Sequence, residues 1–186
     1  MKIRLLPAVL VLGALAACTA STDIPGPAQS TPDPQRAQAW ALSDGDVTQV
    51  EYQKAVHGFL DCMFDAGYIT SEPAVSPIDG LTLLFDLTPS GDPKVWNVKI
   101  EECNLTHLSH IEPTYVEGQT QIMDPRLREV TISCLRRKGF AMTGSERNIT
   151  ELVQPVHGSV QLVMGCVNPA IRDLYPELPS DLKVRW

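Results

Sequence analysis

The stretch FLDCMFDAGY at Phe59–Tyr68 has a counterpart further along the chain, TISCLRRKGF at Thr131–Phe140. In each, a cysteine on an apolar run of helical spacing is followed five residues later by glycine and then by an aromatic. The device reads as the last turn of a helix. The cysteine pins the helix, the glycine permits a left-handed exit, and the aromatic packs back as the chain leaves. Each copy is followed by one more cysteine in a helix-like context, Cys103 in VWNVKIEECNLTHL and Cys166 in SVQLVMGCVNPAIRDLY. The expected fold is therefore α+β and helix-dominated, built from two pseudo-repeated modules.

The beginning of the chain bears on its compartment. Lys2 and Arg4 precede an apolar run, Leu5 to Leu15, too short to cross about 30 Å of hydrocarbon. The run ends in Leu15-Ala16-Ala17-Cys18, which resembles the lipobox of bacterial lipoproteins. Residues 1–17 are thus expected to be a lipoprotein signal peptide. Cys18 would carry the lipid (palmitate among its acyl chains) and hold the protein on the extracytoplasmic face of the cell membrane. Residues 18–39, rich in Pro, Ser, Thr, Ala and Gln, have little to bury and read as a disordered tether with a reach of roughly 25 Å. A single globular domain is expected over 40–186, with module 1 at about 40–120 and module 2 at about 121–186.

Fifteen Lys and Arg against 22 Asp and Glu give a formal charge of −7. Loss of residues 1–17 removes Lys2 and Arg4 and no acid, leaving −9. So acidic a domain is a poor partner for nucleic acid.

With Cys18 lipidated, four cysteines remain: Cys62, Cys103, Cys134 and Cys166. An even number outside the cytoplasm reads as two disulfides, with three connectivities. The repeat favours one bridge within each module, Cys62–Cys103 and Cys134–Cys166; the rival pairings would tie the halves together. Each bridge is expected to contribute about 3–4 kcal/mol through the unfolded state.

Caps and periods place the elements. Thr48-x-x-Glu51 is a capping box, followed by Val50, Ala55, Val56, Phe59, Leu60 and Met63 near helical spacing. Asp124-Pro125 opens the second copy, which carries Leu127, Val130, Ile132 and Leu135 and stops at Gly139. In module 1 the segments YITSEPAV and LTLLFDL flank a Pro-Ile-Asp-Gly turn and predict a hairpin. Asp92-Pro93 opens a helix through Cys103, and the last helix spans about 159–167. Neither module is expected to complete a core alone.

Chemistry is less legible. Asp44 and Glu51 match positions five and twelve of an EF-hand loop, but Trp40 and Leu42 stand where its first ligands belong, so the turn and capping box account for the residues. His107 and His110 lie three apart near Glu101 and Glu102, a weak metal candidate that Pro113 soon interrupts. His57 and His157 are isolated. No nucleophile elbow is present, and no phosphate-cradling loop. No cofactor is implied. Carboxylates such as Asp61, Asp65, Asp79, Asp86 and Glu112 abound, but spacing selects no pair. Arg136, Arg137 and Lys138, with Arg126 and Arg128, make one helix basic, which suits its C-terminal dipole or else a patch facing an acidic partner or the membrane. Trp40, Trp96 and Trp186 suit either a core or a binding surface.

LSDGDVTQVEYQKAVHGFLDCMFDAGY, the later EEC and Tyr115, and DPRLREVTISCLRRKGF together resemble uncharacterised secreted proteins and lipoproteins of actinobacteria. The resemblance covers about 41–140 and implies export and a cysteine framework, with no activity and no site. The expected role is a non-catalytic binding or assembly component of the cell envelope, with an envelope protein or cell-wall material as partner. The alternatives are an envelope hydrolase working through a carboxylate pair and a metal-dependent sensor.

Overall fold

The structure, a computed structural model, describes residues 32–90 and 93–179. Residues 1–17, expected to be a signal peptide, Cys18, most of the expected tether and Trp186 lie outside the described residues.

Among the described residues there are eight α-helices and four short strands. Short helices α1 (Pro34–Ala37) and α2 (Ala39–Leu42) lead into α3 (Gln49–Asp65). Strands β1 (Tyr68–Thr70), β2 (Ala74–Val75), β3 (Leu83–Leu84) and β4 (Leu87–Pro89) follow, then α4 (Pro93–His107) and α5 (Ile111–Gly118). The second module holds α6 (Pro125–Arg137), α7 (Ile149–Val153), a short 3-10 turn, and α8 (Val160–Leu174).

The two copies of the repeated device adopt one geometry. Cys62 and Cys134 each lie three residues before the end of their helix, and Gly67 and Gly139 exit with φ of 87° and 91°. Cys62 bridges to Cys103 on α4, and Cys134 bridges to Cys166 on α8, both with Cα atoms 5.8 Å apart. Each bridge therefore closes its own module, as the repeat implies.

The buried apolar residues gather in two clusters, one centred on each module. The first gathers around Tyr52, Val56 and Met63 of α3 with Leu108, Ile111 and Val116. The second gathers around Leu127 and Leu135 of α6 with Leu152, Val163 and Val167, and takes in Ile78 from the first module. Two positions read as apolar-face residues turn outward: Val50 is 72% exposed and Val130 40% exposed. Their stripes are completed instead by Tyr52 and Thr131.

The hairpin forms in two pieces. Tyr68 to Thr70 pair with Leu87 to Pro89, whereas Ala74 and Val75 pair with Leu83 and Leu84 one residue out of register. With Ser71 N–H bonded to the Asp86 carbonyl, Glu72 and Pro73 together oppose Phe85. Proline has no N–H for the ladder, so the irregularity falls where pairing costs least. At the tip, the Asp79 carboxylate accepts the N–H groups of Leu81 (2.8 Å) and Thr82 (2.9 Å) and the Thr82 hydroxyl (2.6 Å). Gly80 there has φ 71°, and a Cβ on it would sit 3.0 Å from the Ile122 carbonyl oxygen, so both turn and close approach require glycine.

Three boundaries differ from the sequence reading. The tether was expected to run to residue 39, but Asp33 caps α1 and Gln38 is completely buried. The Gln38 amide donates to the Leu105 carbonyl and the Ser109 hydroxyl, both at 2.8 Å. Its carbonyl oxygen accepts from His110 N–H (2.9 Å) and Ile111 N–H (3.0 Å). It thereby caps α5, whose own N-terminal residue makes no side-chain cap bond. Pro113 interrupts nothing. It lies in the first turn of α5, where an N–H has no helical partner to lose. The last helix continues past Val167 through Pro169 to Leu174. Burial of Ala170 and Ile171 against the second core offsets the hydrogen bond that Pro169 forfeits.

Candidate functional site: the groove over the Cys62–Cys103 bridge

Helices α3 and α4 run antiparallel, because the bridge sets Cys62 beside Cys103 and His107 lies against Gly58. Between them is an open groove of about 510 Å³. Its floor is the bridge with Gly58 and Ala66; its walls carry Asp61 and Asp65 from α3 and Lys99, Glu102 and His107 from α4. Asp61 and Asp65 fall on one helix face because they are four residues apart. Glu102 comes to them only through the disulfide. Each cysteine is preceded by an acid, so the bridge brings Asp61 and Glu102 to one groove. That signal was available in the sequence once the pairing was assigned.

The three carboxylates are exposed, and Lys99 Nζ lies 2.8 Å from Glu102 Oε2. His107 is half-buried. A Cβ added at Gly58 would fall 2.7 Å from its Nδ1, so the ring occupies the space that the missing side chain leaves. Burial holds the His107 imidazole below its usual pKa, with the Asp61 charge opposing the shift. The groove thus joins an acidic rim, one lysine and a histidine disposed to be neutral. It suits a cationic group with a small apolar contact. A general acid, by contrast, needs its carboxyl enclosed by apolar walls, and these carboxyls face solvent.

The remaining candidates are accounted for elsewhere. Glu51 Oε2 accepts from Thr48 N–H (2.9 Å) and the Thr48 hydroxyl (2.7 Å), which is the capping box. Asp44 accepts from Asp46 N–H in a turn. His110 heads α5 and lines a different concavity from His107, so the pair does not converge. Among the described residues no three His, Cys, Asp or Glu side chains are placed to hold a metal ion together. Asp79 is spent in the hairpin turn, and buried Glu112 accepts from the Tyr52 hydroxyl at 3.2 Å. Asp86, His57 and His157 are exposed. In the basic helix Arg136 binds the Met142 carbonyl and Arg137 the Ser133 hydroxyl, local bonds at a helix end. Lys54 Nζ lies 4.5 Å over the Trp40 ring.

Sequence reasoning missed Phe64 and Ile69. They are 70% and 65% exposed and stand on either side of the Gly67 exit. A helical period that counts apolar residues cannot tell one facing out from one facing in.

No family model matches this chain, and no curated protein or solved structure matches it.

Proposed function

We propose that the chain is a lipid-anchored extracytoplasmic protein that serves as a binding or assembly component of the cell envelope. The observation that carries this reading is Phe64. It stands on α3 between Asp61 and Asp65, the two acids of the groove wall, and is 70% exposed. An exposed aromatic beside a groove rimmed by Asp61 and Asp65 is the kind of anchor that a protein interface uses. Ile69 extends the apolar surface beyond the helix end. The partner that fits is a protein segment presenting an apolar pocket beside a lysine or arginine. Two disulfides in so small a domain suit an oxidising compartment, and Cys18 supplies the anchor in this reading.

A hydrolase reading draws on Asp61 and Glu102 lining one groove. One experiment separates the two. A photo-crosslinking side chain at position 64, introduced in the intact envelope, is expected to give a discrete adduct that the same group at exposed Val130 does not give. Asp61→Asn is expected to weaken that adduct. A cell-wall turnover defect in Asp61→Asn or Glu102→Gln, with no adduct at position 64, would replace binding by hydrolysis.

A further inference from the structure

Helix α3 has a second face, opposite the one that builds the first core. Tyr52, Val56, Phe59 and Met63 are buried on the inner side. Val50, His57 and Phe64 recur every seven residues, which keeps them nearly in line on the outer side. Lys54 and Asp61, also seven apart, flank that line. All five are exposed. Val50 and Phe64 are the two most exposed large apolar side chains among the described residues. Each has an apolar companion at its own end of the helix. Lys54, one turn on from Val50, holds its Nζ 4.5 Å over the ring of Trp40, which is 41% exposed. At the other end, exposed Ile69 stands across the Gly67 exit from Phe64.

We propose that this face pairs with the same face of a second copy of the chain, the two α3 helices running antiparallel about a two-fold axis at His57. The proposal rests on the reading of Phe64 as an interface anchor and names its partner. The stripe complements itself in that direction. Val50 stands seven residues before His57 and Phe64 seven after it, so Phe64 of each copy meets Val50 of the other. Gln53 and Lys54 stand four and three residues before His57 and Asp61 four after it, so both donors of one copy reach the Asp61 carboxylate of the other. Lys54 is in no ion pair among the described residues. A parallel pairing would set Lys54 against Lys54 and Asp61 against Asp61, like charge on like. From Val50 to Phe64 the helix runs about 21 Å, long enough to separate two apolar contacts with the charged pairs between them. Trp40 on one copy and Ile69 on the other widen each apolar contact. A two-fold contact of this kind uses one patch twice and closes at two subunits, the commonest form of assembly. The second copy thus presents what the Phe64 reading requires, an apolar patch beside a lysine.

The test is the photo-crosslinking group at position 64 of the full chain in the intact envelope, with the adduct weighed and its peptides mapped. The adduct is expected to have twice the mass of the chain and to join position 64 to the peptide that contains Val50. Lys54→Glu and Asp61→Lys are each expected to weaken it about tenfold, because each reversal turns two symmetry-related attractions into repulsions. Lys54→Glu/Asp61→Lys on one chain is expected to restore it. So is co-expression of the two single variants, since each then meets its complement. A two-chain adduct that joins position 64 to position 64, or a double variant that stays as weak as the singles, would overturn the antiparallel pairing. An adduct to a different protein would overturn the second copy as partner and leave the reading of Phe64 in place. No protein adduct at position 64 would overturn both.

Discussion

The Tyr175 hydroxyl donates to the Asp124 carboxylate 2.5 Å away, tying the end of α8 to the start of α6. The same carboxylate oxygen accepts the N–H groups of Arg126 (2.8 Å) and Leu127 (3.2 Å), so one atom both caps α6 and anchors α8. Tyr175→Phe removes one bond and leaves the cap; it is expected to cost about 1 kcal/mol, since both groups are partly open to solvent. Asp124→Ala removes both and is expected to cost about 2 kcal/mol. Urea denaturation of the two single variants and the double variant checks this. The double variant is expected to be no worse than Asp124→Ala.

The same pair sets a dependence on pH. Burial pushes the Asp124 carboxyl up, but the donors from Tyr175, Leu127 and Arg126 outweigh it and hold the group below the usual carboxylate range. Its contribution is present above the unfolded carboxyl pKa of about 4 and is lost as pH falls through the folded value. Tyr175 behaves oppositely. Burial first, then the Asp124 bond and charge, raise its hydroxyl to about 12, so its contribution is intact below about pH 10 and is lost between there and about 12. Stability curves of wild type and Tyr175→Phe are expected to converge above pH 12.

Much of the frame was legible because it is written in local signals. Thr48 with Glu51, Asp124 with Pro125, and the two glycines that follow Cys62 and Cys134 mark helix ends by side-chain chemistry that needs no tertiary context. Gln38 is the opposite case. Nothing in a Pro-rich polar segment marks one glutamine as the cap of a helix some seventy residues away, because its four partners are assembled by the fold. The groove is intermediate. Asp61 and Asp65 share a helix face by period alone, but Glu102 and His107 reach them only across α3 and α4. Pro113, inside α5, and Pro169, inside α8, show one thing: a proline's effect depends on its place in a helix and on what packs around it.

Gly58 and His107 form a close helix crossing that predicts a reversal of sign. Gly58→Ala would put a methyl 2.7 Å from His107 Nδ1, forcing the ring out, and is expected to cost about 1–2 kcal/mol. In a His107→Ala background the same change meets no ring and gains about 1 kcal/mol from helix propensity. Thermal denaturation of the four-protein cycle reads both signs. The His107 pKa is lowered, so its contribution is complete above about pH 6.5 and declines as pH falls through the depressed value. That acid-side decline is expected to vanish in His107→Ala.

The two bridges close separate cores, so removing either should loosen one module more than the other. Cys62→Ala/Cys103→Ala and Cys134→Ala/Cys166→Ala are each expected to cost about 3–4 kcal/mol. Hydrogen exchange should localise the damage. In the first variant Val56 and Met63 lose protection while Leu135 and Val167 keep theirs; the second variant gives the reverse. Uniform loss across both cores would mean that Ile78 and the seam couple the modules into one cooperative unit.

Glu146 holds the loop after α6, and the stability of that loop should follow its charge. Its Oε1 accepts Thr143 N–H (2.7 Å) and the Thr143 hydroxyl (2.8 Å), and its Oε2 accepts Gly144 N–H (2.8 Å). Arg136 closes the loop from the other side through the Met142 carbonyl at 2.9 Å. Burial pushes the carboxyl up, but the N–H groups of Glu146 itself, Thr143 and Gly144 and the Thr143 hydroxyl outweigh it and leave the pKa below the usual range. Glu146→Gln keeps the shape but turns an amide N–H₂ toward a loop donor, so about 2 kcal/mol should be lost at pH 7. The sign with pH follows. The wild-type advantage is full above the unfolded glutamate pKa of about 4.3 and shrinks as acid protonates the folded carboxylate. Paired denaturant titrations at pH 7 and pH 3 check it. A Glu146→Gln deficit that does not shrink at pH 3 would mean that the loop depends on the side chain's shape and not on its charge.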